Sequence, residues 1–379
     1  MKIGITGDNI ISSLGFTTDE NVLAVKEGRS GLRYFTDYLD IPEPFMASAI
    51  DRMKLEERFA GLGKSGRAYT SFEKMGIVSI AEAVCGKDMD LSDRRTLFVL
   101  STTKGNVALL DPRVNEDFPD DRVYLWKSAR IIAEFFGNPN EPLVLSNACI
   151  SGVVAQIAAR RLLQSGMYDR IVVCGVDELS RFVVSGFQSF KALSPERCRP
   201  FDAKRCGLNI GEAASTLIFE RCPEAKGRVA LEAGAITNDA NHISGPSRTG
   251  EGLFLALQQV MTGTDVSEIG FLNAHGTATL YNDEMESIAF ERAGLQQVPL
   301  YSLKGYFGHT LGASGVIETV VAVRALQQGF LPQSLGYESC GVTRPVQVVT
   351  KFAKREIRQG IKTASGFGGC NAAIRLKLL

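Results

Sequence analysis

The sequence lacks any C-x-x-C pair: its eight cysteines are scattered at positions 85, 149, 174, 198, 206, 222, 340 and 370. That scatter is neither a zinc-ligand pattern nor a disulfide framework, and it suits a reducing compartment. Charge of one sign is not in excess, with 42 basic against 42 acidic side chains and a net charge of +0. A general nucleic-acid partner is therefore excluded, since such binding rests on neutralising phosphates. No apolar run approaches the length of a membrane span. Residues 1–7 read as a short strand followed by glycine rather than as a secretory signal. These absences together lead to the expectation of a soluble, cytoplasmic protein. Histidine is scarce, with three in 379 residues, so each one is informative.

What is present is enough apolar material for a large core, 45% of the chain, in one two-part unit or two domains. Short apolar runs at 3–6, 97–100, 143–145, 170–175, 216–219, 229–236, 269–272, 299–302, 346–349, 362–365 and 373–376 read as strands. Helical spacing of apolar residues marks 21–27, 75–84, 153–163 and 314–328. Strands alternating with helices make the chain α/β. Residues 51–74 are basic and read as a solvated loop or helix face, with a docking site for an acidic partner as the other reading. Residues 111–124 read as loop. The composition around Pro223, Glu224, Lys226 and Gly227 places a boundary between halves 1–222 and 223–379.

The junction between the strand at 143–145 and the helix at 153–163 carries Cys149. Unpaired backbone N–H groups and the helix dipole at such a junction favour a thiolate, although a cysteine there can equally be a buried structural residue. An internal repeat adds weight. Residues 151–166 laid against 314–329, an offset of 163, agree at eight of sixteen positions, beginning Ser-Gly-Val in both. Each helix follows a strand, and a weaker echo links 97–100 to 269–272. Chance likeness of two amphipathic helices is the plain alternative. A duplicated βα layout would set Cys149 and the loop before Ser314 at equivalent helix N-termini facing a shared centre.

Two of the histidines lie in small-residue loops directly after strands, His275 in Asn273-Ala274-His275-Gly276-Thr277 and His309 in Gly308-His309-Thr310. Loops at strand ends are where α/β proteins keep reactive groups. A thiol nucleophile with imidazoles beside it supports acyl transfer through a thioester. Neutral imidazoles can also hydrogen-bond a thioester oxygen as it becomes an enolate on loss of CO2. Lys304 can hold the neighbouring histidine neutral, and Glu318 can fix Lys304. Backbone N–H groups of the glycine-rich stretch 365–369 can serve as an oxyanion hole.

These motifs, in this order and spacing, resemble the elongating β-ketoacyl-acyl carrier protein synthases of the thiolase superfamily. The likeness runs from end to end. It includes Gly28-Arg29-Ser30-Gly31, Ala148-Cys149, Arg199-Pro200-Phe201-Asp202 with Gly211-Glu212-Ala213, and Asn273 to Thr277 with Asn282, Asp283 and Glu286. Lys304 to Gly315 and Gly366 to Gly369 complete it. The resemblance implies a thiolase fold, duplicated βα halves in a five-layered αβαβα arrangement, usually a homodimer or else a heterodimer with a related subunit. It implies that Cys149 carries the acyl chain, that His275 and His309 drive decarboxylation of malonyl-carrier, and that Lys304 and Glu318 support His309. The N–H groups of Cys149 and Phe367 would form the oxyanion hole, with Phe367 gating the acyl pocket. Phe201, Thr277, Thr279, Lys104, Gly366 and Gly368 would contact substrate. No metal or organic cofactor is implied, and the partner is acyl carrier protein, with Lys64, Arg67, Lys204 and Arg205 as docking candidates. His242, which lines the entrance in such proteins, is read as structural.

The chain departs from the family pattern at Ser365, Cys370 and Cys206, and in its terse segment around 105–125. Lys104 falls where an apolar residue is expected on the pocket floor, where a buried lysine costs several kcal/mol unless paired. These differences point to a specialised fatty-acid, polyene or polyketide pathway. A non-condensing acyltransferase or decarboxylase, and a chain-length-factor-like partner subunit, are the alternatives on this fold.

Overall fold

The computed structural model describes residues 2–63, 66–114, 118–222 and 226–379. Ten strands form its main sheet: β1 (Lys2–Ile11), β2 (Thr96–Ser101), β3 (Leu143–Leu145), β4 (Arg170–Asp177), β5 (Ala213–Cys222), β6 (Val229–Asn238), β7 (Phe271–Asn273), β8 (Leu300–Tyr301), β9 (Gln359–Gly366) and β10 (Cys370–Leu378). The helices that frame the site are α1 (Ser71–Val84), α2 (Leu125–Phe135), α3 (Ser151–Gln164), α4 (Arg181–Ser189), α5 (Glu251–Met261), α6 (Leu280–Arg292) and α7 (Ser314–Gln328). The run at 346–349 forms no strand, and Val348 makes only an isolated bridge to Leu300. The basic stretch after Asp51 is a helix, Arg52–Ala60, capped by the Asp51 side chain.

Strand order is β8-β7-β9-β10-β6-β1-β5-β4-β2-β3. In the first five strands β2 is parallel to β3 and β4, β4 antiparallel to β5, and β5 antiparallel to β1. The second five repeat this pattern: β7 is parallel to β8 and β9, β9 antiparallel to β10, and β10 antiparallel to β6. The two sets meet through a single antiparallel pair, Gly4 with Ala230. The duplication suggested by the 163-residue offset is thus built into the topology.

Alternation along the strands explains the layers, because neighbouring residues point to opposite faces. Phe98, Leu100 and Val172 pack outward against α1 and α2. Leu97, Val99, Ile171 and Val173 pack inward against α3 and α7, which also cover Leu231, Ile374 and Leu376 of the second set. The opposite face of that set, Leu272, Ile361 and Ala373, is covered by α5 and α6. Strands buried on both faces read as continuous apolar runs. The result is the five-layered αβαβα thiolase fold.

In the central layer α3 and α7 cross where the repeat has its two Ser-Gly steps. A Cβ on Gly152 would come within 2.9 Å of the Val316 nitrogen, and one on Gly315 within 2.6 Å of the Val153 nitrogen. Gln156 Nε2 donates to the Gly315 carbonyl at 2.9 Å across the crossing. Neither helix has a side-chain N-cap. The two helices therefore begin at the same crossing, and the first N–H groups of α3 turn back onto the Ala148 and Ile150 carbonyls.

Candidate active site

The chain turns from β3 into α3 through Ala148, held at φ +45°, a conformation that a residue with a Cβ adopts at a cost of order 1–3 kcal/mol. Ser151 staples the turn: its Oγ accepts from the Asn147 N–H at 2.7 Å and donates to the Ala148 carbonyl at 2.6 Å. Cys149, the next residue, is left 8% exposed. From the other half, Gly366 reaches over it; a Cβ there would stand 3.1 Å from the Cys149 nitrogen. That approach lets the Phe367 N–H hydrogen-bond the thiol. Burial pushes the Cys149 thiol up to about 11, although Lys304, the Phe367 N–H and Lys104 all pull the other way. The junction favours a thiolate, but desolvation outweighs the helix N-terminus here.

His275 and His309 stand edge to face, ring centroids 5.1 Å apart at 84°. One donor atom from each ring and the Cys149 Sγ all lie within 4.8 Å of one another. Three such donors are close enough to share a divalent cation, but the charge of Lys304, which acts on all three groups, opposes one. The His275 loop is held by Glu286 of α6, whose carboxylate accepts the N–H groups of His275 and Gly276 at 2.8 and 2.6 Å. Gly276 sits at φ +45°, pressed on Ser302 so closely that a Cβ would meet its side chain at 2.7 Å. His309 donates its N–H to the Asn209 carbonyl at 2.7 Å, and its carbonyl accepts from Gly211 at 3.1 Å. Its ring Nδ1 lies 3.1 Å from Ser314 Oγ, itself 3.0 Å from Thr310 Oγ1. Burial, reinforced by Lys304, holds both imidazoles well below their ordinary 6.5. They are neutral at neutral pH.

Lys304 is 1% exposed, and its Nζ pairs with Oε1 of Glu318 on α7. The sequence reading missed a third member, Lys362 of β9, whose Nζ lies 2.6 Å from Oε2 of the same carboxylate. The only signal for it was a lysine interrupting a run that packs as a buried strand. Asp177, at the end of β4, was also missed. It accepts from Thr102 Oγ1, the Thr103 N–H and the Gly312 N–H, and so ties the end of β2 to the loop before α7.

A cavity of about 470 Å3 opens onto the Cys-His-His centre, and Thr277, Thr279, Gly366 and Phe367 share its wall. Phe201, Lys104 and Gly368 are not among the residues lining it. Phe201 is buried behind the His275 loop at φ +65°, its N–H donated to Asp283 at 2.7 Å. Lys104 is only half-buried, which lessens the burial cost expected for it. Phe367 stacks on Phe187 at 6.0 Å and meets Phe190 edge-on at 5.6 Å. His242 lines the cavity, and its Nδ1 accepts the Ser244 and Gly245 N–H groups of its own turn. Of the docking candidates, Lys64 lies outside the described residues. Arg67 pairs with Glu134 at 2.7 Å, and Lys204 is 74% exposed. Arg205 is a correction: it is 7% exposed and its two Nη groups donate to the carbonyls of Asp202, Gly341 and Leu280.

Comparison with known proteins follows the same lines. The family model for the β-ketoacyl synthase N-terminal domain matches residues 1–225, and that for the C-terminal domain matches residues 229–338. The chain is 29% identical, over 99% of both chains, to a putative mitochondrial 3-oxoacyl-[acyl-carrier-protein] synthase of Schizosaccharomyces pombe. It is 33% identical to 3-oxoacyl-[acyl-carrier-protein] synthase 2 of Rhizobium meliloti, over 63% of this chain and 61% of that one. Among solved structures it superposes on a chain of the complex of the ketosynthase ApeO with its chain length factor ApeC from Xenorhabdus doucetiae. The TM-score there is 0.89 at 25% identity, covering 100% of this chain and 98% of the other.

Proposed function

The chain belongs to the β-ketoacyl synthase family, and on that premise we propose that it joins an acyl thioester to malonyl-carrier by decarboxylative Claisen condensation. The observation that carries the reading is the meeting of the Cys149 thiol with two neutral imidazoles and the Phe367 N–H in one cavity. Cys149 loses its proton to an adjacent imidazole as its sulfur attacks the acyl-carrier thioester. The bond from the acyl carbon to the carrier's sulfur breaks, and the carrier leaves as a thiol with that proton. Malonyl-carrier then binds with its thioester oxygen between His275 and His309. The chain of hydroxyls from Thr310 through Ser314 to His309 Nδ1 leaves Nε2 to donate to that oxygen. Loss of CO2 puts the electron pair on the enolate, which these donors stabilise. Its carbon attacks the acyl-Cys149 carbonyl, and the N–H groups of Cys149 and Phe367 hold the developing oxyanion. Collapse expels the Cys149 sulfur, which takes up one proton from solvent to return to the thiol, and releases a carrier-bound β-ketoacyl chain.

Lys304, fixed by Glu318, adds its charge to the burial that keeps the imidazoles neutral. Thr277, Thr279 and Gly366 line the substrate's path with Phe367 as its gate, while Phe201 braces the His275 loop from behind; Lys104 adds positive charge near Cys149. Acyl carrier protein is the partner, and the working form is a dimer of this chain or of this chain with a related subunit. Residues 1–222 carry the nucleophile and 223–379 the histidines; residues 223–225, at that boundary, lie outside the described residues. Among the described residues no helix is long and apolar enough to cross a membrane. A cytoplasmic setting for a specialised fatty-acid, polyene or polyketide pathway fits the reducing pattern of the cysteines.

The test is incubation with acyl-carrier and malonyl-carrier, following C–C bond formation and CO2 separately. Cys149→Ala is expected to abolish the condensed product while still releasing CO2 from malonyl-carrier. Condensation by that variant would overturn the reading.

A further inference from the structure

Lys362 is fully buried, with 0% of its side chain exposed. It lies on β9 directly beside β7, paired in register with Asn273. An ammonium group removed from water costs several kcal/mol unless acceptors surround it. Here Oε2 of Glu318 stands at 2.6 Å, the carbonyls of Asn273 and Ala274 at 3.5 Å, and the Thr363 carbonyl completes the set. Asn273 and Ala274 are the two residues before His275. Glu318 holds Lys304 with its other oxygen, and its backbone carbonyl accepts from Asn273 Nδ2 at 2.8 Å. The charged groups that act on Lys362 are Glu318, Lys304 and Glu286, the last being the residue that cradles the His275 backbone. One carboxylate thus lies between two ammonium groups. The second of these grips both the strand end that delivers His275 and the acid that orients Lys304 beside His309.

We propose that Lys362 is a positioning residue for the decarboxylation half-reaction, locking the His275 strand end and the Glu318–Lys304 arm to a single cation. The inference rests on the condensing activity assigned above and adds a residue to it. Acylation of Cys149 uses one imidazole only as a passing base, whereas decarboxylation needs both set on one oxygen, so the lock bears mainly on decarboxylation; Lys362 acts on both histidines.

The test splits the two half-reactions in Lys362→Met, a variant of similar shape without charge. Transfer of an acyl group from acyl-carrier to Cys149, read by intact mass, should stay within about threefold of wild type. Release of CO2 from malonyl-carrier should fall by about tenfold or more, the scale of a mis-set reacting group. The acid limb of the decarboxylation profile should move to higher pH, because an imidazole relieved of a nearby cation protonates more readily. Methylammonium added to Lys362→Ala should recover part of the lost rate. CO2 release within about threefold of wild type with an unmoved acid limb would overturn the proposal; so would equal losses in both half-reactions. Should Lys362→Met not fold, Lys362→Ala folded with methylammonium takes its place. Failure of both to fold assigns Lys362 to stability and overturns the proposal. Wild-type protein that releases no CO2 from malonyl-carrier overturns the condensing assignment itself, and this inference with it.

Discussion

At the scale of single residues the site is set by burial more than by charge. Cys149, pushed up to about 11, is a thiol at neutral pH, so its alkylation by iodoacetamide should accelerate about tenfold per pH unit toward that value. Peptide mass mapping checks this; a rate already flat at pH 8 would mean a standing thiolate. The histidines act in the opposite sense on stability. Held well below 6.5 when folded, they refuse protons that the unfolded chain accepts, so their neutrality costs nothing above that value and destabilises as pH falls through it. Glu178 and Asp283, pushed up to about 7 by burial, work the other way, so the useful readout is a difference. The gap in Tm between wild type and His275→Asn should shift in favour of the variant between about pH 7 and 5. A gap independent of pH would contradict the neutral assignment. Cys149, His275, His309, Lys304 and Glu318 could be picked out in the sequence because they stand in small-residue loops after strands or at helical spacing from them. Lys362 could not, because its partners come from three separate elements and nothing within its own strand signals them.

At the scale of elements, the crossing of α3 and α7 is what brings the nucleophile and the imidazoles together. Gly152 and Gly315 permit it, since any Cβ would press on backbone nitrogen at 2.9 or 2.6 Å. Gly315→Ala is expected to cost about 1–3 kcal/mol by chemical denaturation, the range for overpacking a core. It should also slow acylation of Cys149 by parting the two helix N-termini. Unchanged stability would show that the crossing has slack. The strands were readable because burial on both faces leaves continuous apolar runs, and α7 because its whole length packs in the centre. The helices α5 and α6 were not. The buried face of α6 carries Asp283 and Glu286, which breaks the apolar period, and α5 begins at Gly250 in a left-handed conformation with no side-chain cap. The very residues that hold the His275 loop hid their own helix.

At the scale of the molecule, duplication does the main work: two five-strand sets of one pattern place two helix N-termini face to face. Away from the catalytic cavity, a second depression of about 860 Å3 gathers Leu110, Val114 and Phe182, each more than half exposed. These solvent-facing apolar residues are the place where the proposed dimer is expected to seat a second copy of the fold. Light scattering should return twice the 41.1 kDa chain mass, and Leu110→Asp with Phe182→Asp should return it to one. The chemistry of the whole is tested most directly by intact mass in two steps. After exposure to acyl-carrier, wild-type protein should carry one acyl adduct that is missing from Cys149→Ala. Adding malonyl-carrier should discharge it as CO2 forms and the carrier gains the lengthened β-ketoacyl chain. No adduct with any acyl-carrier, or one that malonyl-carrier leaves in place, would contradict the account.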